Sequence, residues 1–240
     1  MAPVAEELSS RFGVLEPLQT ASSVAGQIAE LVRSLTESAD LPVTLIGHSW
    51  GAWLSMMTAA DSPAIVSRLI LVSGGPFEER YASEIMPTRL ARLTTELRSA
   101  AERAMGILNA PAGKGKDSAL RHLGELLARA DAYDPIPEPT ESRCDSSVPD
   151  SSVFENVWQE AAGMRKSGKL LELAKRVQCP VTAIHGDYDP HPAEGVRVPL
   201  TTVLRDFRFV LLRHCGHKPW LERQAREEFF RIIETELGHI

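Results

Sequence analysis

Three short stretches hold residues whose types and order could do covalent chemistry. In "LIGHSWGAW" Ser49 stands between Gly47 and Gly51, "HGDYDPHP" carries Asp187 and Asp189, and "RHCGHKPW" carries His214 and His217. A serine hydroxyl is a weak nucleophile until a base takes its proton and an acid orients that base. A serine followed along the chain by an acid and then a histidine is therefore a set that can transfer an acyl group. Gly-x-Ser-x-Gly alone says little, since a chain of this length shows one by chance roughly one time in ten. Its context says more: a β-branched run precedes it and "WLSMMTAA" can begin a helix, which gives the strand, sharp turn and helix that hold a nucleophile in a strained turn. Side chains at the two glycines would collide with the neighbouring strand and helix. The backbone N–H of Trp50, at the helix start, would then face a developing oxyanion.

Asp187 and Asp189 both follow a β-rich run; the Gly-x-Tyr-Asp form, with prolines fixing the turn after it, favours Asp189. His217 follows Gly216 and precedes "KPW" in what reads as an exposed loop, whereas His214 continues the strand as a partly buried neighbour. His217 is thus the favoured base. Both fall at strand C-terminal ends, the side of an open α/β sheet where sites form.

His185, Asp187, Asp189 and His191 alternate closely enough to suggest a metal site. Alternation along an extended segment points side chains to opposite faces, and Pro190 and Pro192 bend the chain away, so no metal is assigned. Cys215 beside a histidine reads as a buried free thiol rather than a nucleophile. Trp158, Trp220, Met56 and Met57 read as packing. "GKGK" at 113–116 lacks the strand and hydroxyl of a phosphate loop.

These residues need elements to position them. Five β-rich runs recur: "FGVLEP" (Phe12 to Pro17), "PVTLIGH" (Pro42 to His48), "RLILVSG" (Arg68 to Gly74), "PVTAIHG" (Pro180 to Gly186) and "FRFVLL" (Phe207 to Leu212). Helical patterns separate them, such as Val24, Ile28, Leu31, Val32 and Leu35, or Leu221, Ala225, Phe229, Ile232 and Leu237. That alternation predicts an α/β fold, a mainly parallel sheet with helices on both faces. From Pro76 to Val177 the rhythm breaks: the apolar spacing is helical throughout, and loops interrupt it. This segment is expected to be a helical lid inserted between two strands, so that 1–75 with 178–240 form the core and 76–177 the insertion.

Composition narrows the partners. The 240 residues carry 26 basic and 32 acidic side chains, a net charge of −6 with no long run of either sign. No footprint for nucleic acid or anionic lipid results, and a small molecule is the expected partner. Cys144, Cys179 and Cys215 are odd in number and lack metal spacing, which suits a reducing cytoplasm. The N-terminus lacks a basic, apolar leader, and no run approaches the roughly 18 apolar residues of a membrane span.

Taken together, "GHSWG", "HGDYDP" and "CGHKPW" make the chain resemble the α/β-hydrolase superfamily over nearly its whole length, with 76–177 where that superfamily places its cap. The three motifs are most similar to the proline iminopeptidase-like branch. The resemblance implies a serine hydrolase without cofactor, acting on an ester, an amide or a short peptide. Ser49 would be the nucleophile, His217 the base, Asp189 the orienting acid and Trp50 an oxyanion donor. It also implies cap carboxylates that recognise a free amino group, for which Glu160 in "NVWQEAAGMRKSG" is the candidate; His48 is a second candidate for substrate contact.

The superfamily places several strands before the nucleophile strand, and a loop after the third supplies a second oxyanion N–H. Here only the residues up to His48 precede Ser49, and "APVAEELSSRFGVLEP" resembles the first helix and fourth strand. A βαβ unit needs about thirty residues or more, so those strands do not fit. The expectation is a shortened gene product with a gap beside the nucleophile strand; the alternatives are that the fourth strand pairs elsewhere, that a second chain fills the gap, or that the start site is misplaced and the natural protein is longer. A catalytically silent binding protein is then the competing reading.

Overall fold

The computed structural model describes residues 1–110, 115–137 and 151–238. Within it, the sheet has four strands in the order β1 (Val43–His48), β2 (Val66–Val72), β3 (Val181–Gly186) and β4 (Phe207–Leu212). All neighbours pair in parallel: His48 stands opposite Val72, Val72 opposite Ile184, and Gly186 opposite Leu212. The strands therefore end together, and Ser49, the turn after Gly186 and the turn after Leu212 emerge at one edge of the sheet.

The pleat divides the core in two. On one face Leu45, Leu69, Leu71, Val181 and Ala183 pack against α2 (Val24–Ser38), α3 (Trp50–Asp61), α8 (Lys169–Ala174) and α9 (Glu194–Val203). On the other, Ile70, Val72, Ile184 and Leu212 pack against α1 (Ala2–Ser9) and α10 (Arg226–Gly238). Successive residues of β2 thus serve opposite faces, which is why a strand buried on both sides reads as an unbroken apolar run. Helix α2 starts where the Ser23 side chain accepts a hydrogen bond from the Gly26 N–H and buries Val24, Gln27, Leu31 and Leu35 at helical spacing. Helix α3 is buried from Ala52 to Ala60 and so shows no polar face.

Between β2 and β3 run α4 (Ile85–Arg92), α5 (Thr95–Asn109), α6 (Lys116–Ala130), α7 (Ser151–Lys166) and then α8. Helices α5 and α6 share their own small core, built on Ala101, Ala104, Ala119, Leu123 and Leu126. Gly113 and Lys114 of "GKGK", together with Cys144, lie outside the described residues. Among the described residues, no helix is long and apolar enough to cross a membrane.

One predicted strand is absent. Phe12–Pro17 carries no regular structure: Phe12 packs with the α1 and α10 cluster, while Val14 and Leu15 are 40% and 43% exposed. A β-rich run becomes a strand only where a neighbour accepts its backbone, and this one crosses from one face of the sheet to the other without pairing. Among the described residues β1 consequently has β2 as its one strand neighbour.

Candidate active site

Ser49 separates β1 from α3 with φ 55° and ψ −115°, a conformation that costs a side-chain-bearing residue energy and recurs at functional turns. Its N–H donates to the Val72 carbonyl (3.0 Å), which ties the turn to β2. Gly47 is required by close approach, because a Cβ there would lie 2.1 Å from the Gly51 carbonyl oxygen. Gly51 differs from the sequence expectation: a Cβ at that position meets nothing within 4 Å. Trp50, first residue of α3, presents one of the N–H groups that a helix leaves without an intrahelical partner, and its indole N–H is occupied by Gln27 Oε1 at 2.8 Å.

Asp189 lies in the turn after β3 with its carboxylate buried. Oδ2 accepts the His217 Nδ1–H (2.7 Å); Oδ1 accepts from His191 Nδ1 (2.8 Å) and from the His191 backbone N–H (2.9 Å). His185 Nε2 stands 3.6 Å from Oδ2 and donates to the His191 carbonyl at 2.8 Å. Burial alone would raise the Asp189 carboxyl, yet the neighbouring His217 and His185 imidazoles, with hydrogen bonds from His191 and His217, hold it well below the usual carboxylate range. A carboxylate on Nδ1 fixes the imidazole tautomer and leaves Nε2 of His217 as the proton acceptor.

The strict alternation inferred from the sequence does not survive the turn. Past β3 the chain bends, and His185 and His191 both come to Asp189. Donor atoms of Asp189, His191 and His217 lie within 4.8 Å of one another, close enough to hold a cation. Each of those three residues is already engaged with another of the set through the hydrogen bonds given above.

His217 is buried rather than exposed, 9% accessible. Its backbone N–H donates to the Asp131 carbonyl (2.8 Å) and its own carbonyl accepts from His48 Nε2 (2.8 Å). The His48 ring lies 4.7 Å from both the His217 and the Trp220 rings. The residue next to Ser49 thus touches the peptide of His217, so β1 and the loop after β4 meet here. Burial, reinforced by the neighbouring His217 ring, keeps His48 well below the ordinary histidine value and therefore neutral.

The remaining candidates fall elsewhere. His214 lies past the end of β4, exposed, with φ 53°, and its Nδ1 meets the Tyr133 hydroxyl at 3.1 Å. Asp187 accepts the Cys215 N–H (3.2 Å), steadying the loop from outside. The Glu160 carboxylate, on α7, accepts the N–H of Val24 at 2.8 Å, at the start of α2. Cys215 is buried, and burial with the nearby Glu222 carboxylate drives its thiol far above the ordinary value, so it is no thiolate nucleophile. Trp158 packs in part: it stacks on Trp53 (6.4 Å, 8°) and on Phe154 (6.1 Å, 6°) yet is 44% exposed. Residues that sequence reasoning did not single out are Arg89, whose guanidinium grips the Asp131 carboxylate with two bonds of 2.7 Å, and Glu222, buried beneath the His217 loop. Neither carries a local signal, because their partners are far along the chain.

Comparison with known proteins places this arrangement. The sequence model of the Alpha/beta hydrolase family matches residues 10–232. No curated protein matches the sequence. Among solved structures, an esterase from Exiguobacterium antarcticum is similar with a TM-score of 0.63 and 17% identity, over 95% of this chain and 78% of that one. A structure from work on carboxylesterases of the thaumarchaeon Nitrososphaera gargenis gives 0.58 and 19%, over 99% and 84%. A proline iminopeptidase from Mycobacterium smegmatis gives 0.53 and 18%, over 92% and 73%. At these identities the likeness concerns the fold.

Proposed function

The chain belongs to the alpha/beta hydrolase family, and on that footing we propose that it cleaves ester or amide bonds of small molecules by acyl transfer to water. Ser49 Oγ attacks the carbonyl carbon while His217 Nε2 takes its proton, and Asp189 orients the imidazole and balances its charge. The oxyanion forms against the Trp50 N–H. His217 then protonates the leaving group, and water repeats the sequence to release the acid and restore the serine. Helices α4 to α8 serve as the cap that selects the substrate, and the reaction belongs to the cytoplasm.

The observation that carries this reading is the buried His217–Asp189 hydrogen bond of 2.7 Å, whose histidine also binds, through its peptide, the residue preceding a serine held at φ 55°. Ester substrates are placed ahead of peptides. Glu160, the acid offered for recognising an amino group, is committed to the start of α2, although its partner N–H could yield to a substrate ammonium. A second reading, weak or silent turnover, is favoured by one feature: among the described residues no strand lies on the side of β1 away from β2 to carry a second oxyanion donor. Loss of one such donor costs roughly 10²- to 10³-fold in rate.

Hydrolysis of short p-nitrophenyl esters and of proline p-nitroanilide by wild type and Ser49→Ala separates these readings. Ester turnover abolished by the substitution is the expected result; faster anilide turnover would move the substrate class to peptides. Equal rates for the two proteins would eliminate the hydrolase.

A further inference from the structure

The histidine loop is fastened to the helical segment between β2 and β3, and one carboxylate is a hub of the fastening. Glu222, fully buried, accepts three backbone N–H groups: Gly216 (3.0 Å) and Tyr133 (2.9 Å) on Oε1, and Asp134 (2.8 Å) on Oε2. Gly216 directly precedes His217. Tyr133 and Asp134 belong to the strap of residues 131–136 that leaves α6. The two pieces meet at further points: the His217 N–H donates to the Asp131 carbonyl (2.8 Å), the Ile136 N–H to the Leu221 carbonyl (2.7 Å) and the Arg223 N–H to the Asp134 carbonyl (3.1 Å). Contact is so close that a Cβ on Gly216 would fall 2.1 Å from the Asp131 oxygen. From the other side Arg89 of α4 holds the Asp131 carboxylate, and Arg92 bridges the Ala130 and Tyr188 carbonyls (3.0 and 2.8 Å), the latter one residue before Asp189.

We infer that Glu222 is a positioning residue that locks the strap 131–136 onto the His217 loop, so that the helical segment and the proton-transferring histidine move as one unit. The inference rests on the hydrolase reading for its kinetic consequence but not for the lock itself. A buried carboxylate facing three N–H groups is a single hub between two chain segments 80 or more residues apart. Remove its acceptors and three backbone donors lose their partner, two part-buried on the strap and one buried on the loop, which favours separation of the two. His217 would keep its bond to Asp189 but lose the fixed peptide that aims Nε2. The helical segment in this protein is therefore fastened on this side and is no freely opening lid there.

The test compares wild type, Glu222→Gln and Glu222→Met in two measurements. Gln keeps one carbonyl oxygen and sets an amide N–H against the Asp134 N–H; Met keeps the length and removes every acceptor. Amide hydrogen exchange of the full chain should show Tyr133, Asp134, Gly216 and His217 exchanging roughly tenfold faster or more in Gln, with β2 and β3 still protected. Kinetics on a p-nitrophenyl ester should show kcat lowered roughly tenfold with KM little changed, because aim rather than binding is lost. Met should extend both effects, and if it fails to fold the Gln variant decides alone. Unchanged exchange at Gly216 and His217 overturns the lock, and raised exchange with kcat unchanged overturns the positioning role. Absence of Ser49-dependent turnover in wild type defeats the hydrolase reading instead, and exchange alone then decides the lock.

Discussion

On the side of β3 and β4, Asp189 and His217 sit among partners that close every direction: His191 and His185 around the carboxylate, Asp131 and His48 on the histidine's peptide, Glu222 beneath its loop. On the side of β1, Ser49 stands in a strained turn on the outermost strand, with β2 as its one strand neighbour among the described residues. The half proposed to handle the proton is thus held by many contacts, whereas the half that would receive the carbonyl oxygen depends on a single turn and the first N–H of α3. The contrast teaches where tolerance should lie. Changes around the acid and histidine should be read chiefly in rate, since many contacts preserve the fold there, and changes at the turn should be read in stability as well.

The largest expected effect is chemical. Ser49→Ala should lower ester turnover roughly 10⁴-fold or more, and Asp189→Asn should come close to it, because an amide donor opposite Nδ1 favours the wrong tautomer. Thermal melting should separate the two causes: both variants should unfold cooperatively, so that their losses are catalytic. If Asp189→Asn retained most of the activity, the crowded half would be structural scaffolding and not a relay.

At the turn, stability carries the signal. Gly47→Ala forces a Cβ to within 2.1 Å of a backbone oxygen and should cost about 3 kcal/mol, lowering Tm by roughly 6–12 °C. Gly51→Ala meets open space and, lying inside α3, should be neutral or gain up to about 1 kcal/mol. Differential scanning calorimetry of the pair checks this; equal losses would mean that the two glycines are needed for a common reason.

The smallest effect is in pH dependence. Burial holds His48 and His191 below the ordinary histidine value, so folding favours their neutral forms. Their stabilisation is complete above the unfolded pKa of about 6.5 and is lost as pH falls from there through the depressed folded values. Tm should therefore drop between pH 7 and pH 5. His48→Gln, which can still donate to the His217 carbonyl, should flatten that slope by a few degrees in Tm while leaving the Asp189 contribution, which fades only at more acid pH. An unchanged slope would place the titrating group elsewhere.

Much of this was legible in the sequence, for a physical reason. The four paired strands announce themselves as apolar, β-branched runs because both faces of β2 and β3 are buried, and the candidates Ser49, Asp189 and His217 stand out because each lies within a short turn after such a run. "FGVLEP" misled because β-propensity reports side-chain fit and not the presence of a partner strand. The roles of His191, Glu222, Arg89 and Asp131 were hidden for the opposite reason: each is defined by what it touches across a turn or across dozens of residues, which spacing does not encode. The prolines after Asp189 suggest dispersal of the flanking histidines, whereas the turn that contains them brings both histidines to the carboxylate.

The central claim, that Ser49 is a nucleophile activated by the His217–Asp189 pair, is tested most directly by a fluorophosphonate probe with the adduct mapped by peptide mass spectrometry. The account predicts stoichiometric modification of Ser49 in wild type and a rate roughly 10²-fold or more lower in Asp189→Asn. Absence of an adduct on Ser49 in folded wild-type protein, or an adduct formed equally fast without the Asp189 carboxylate, would contradict it.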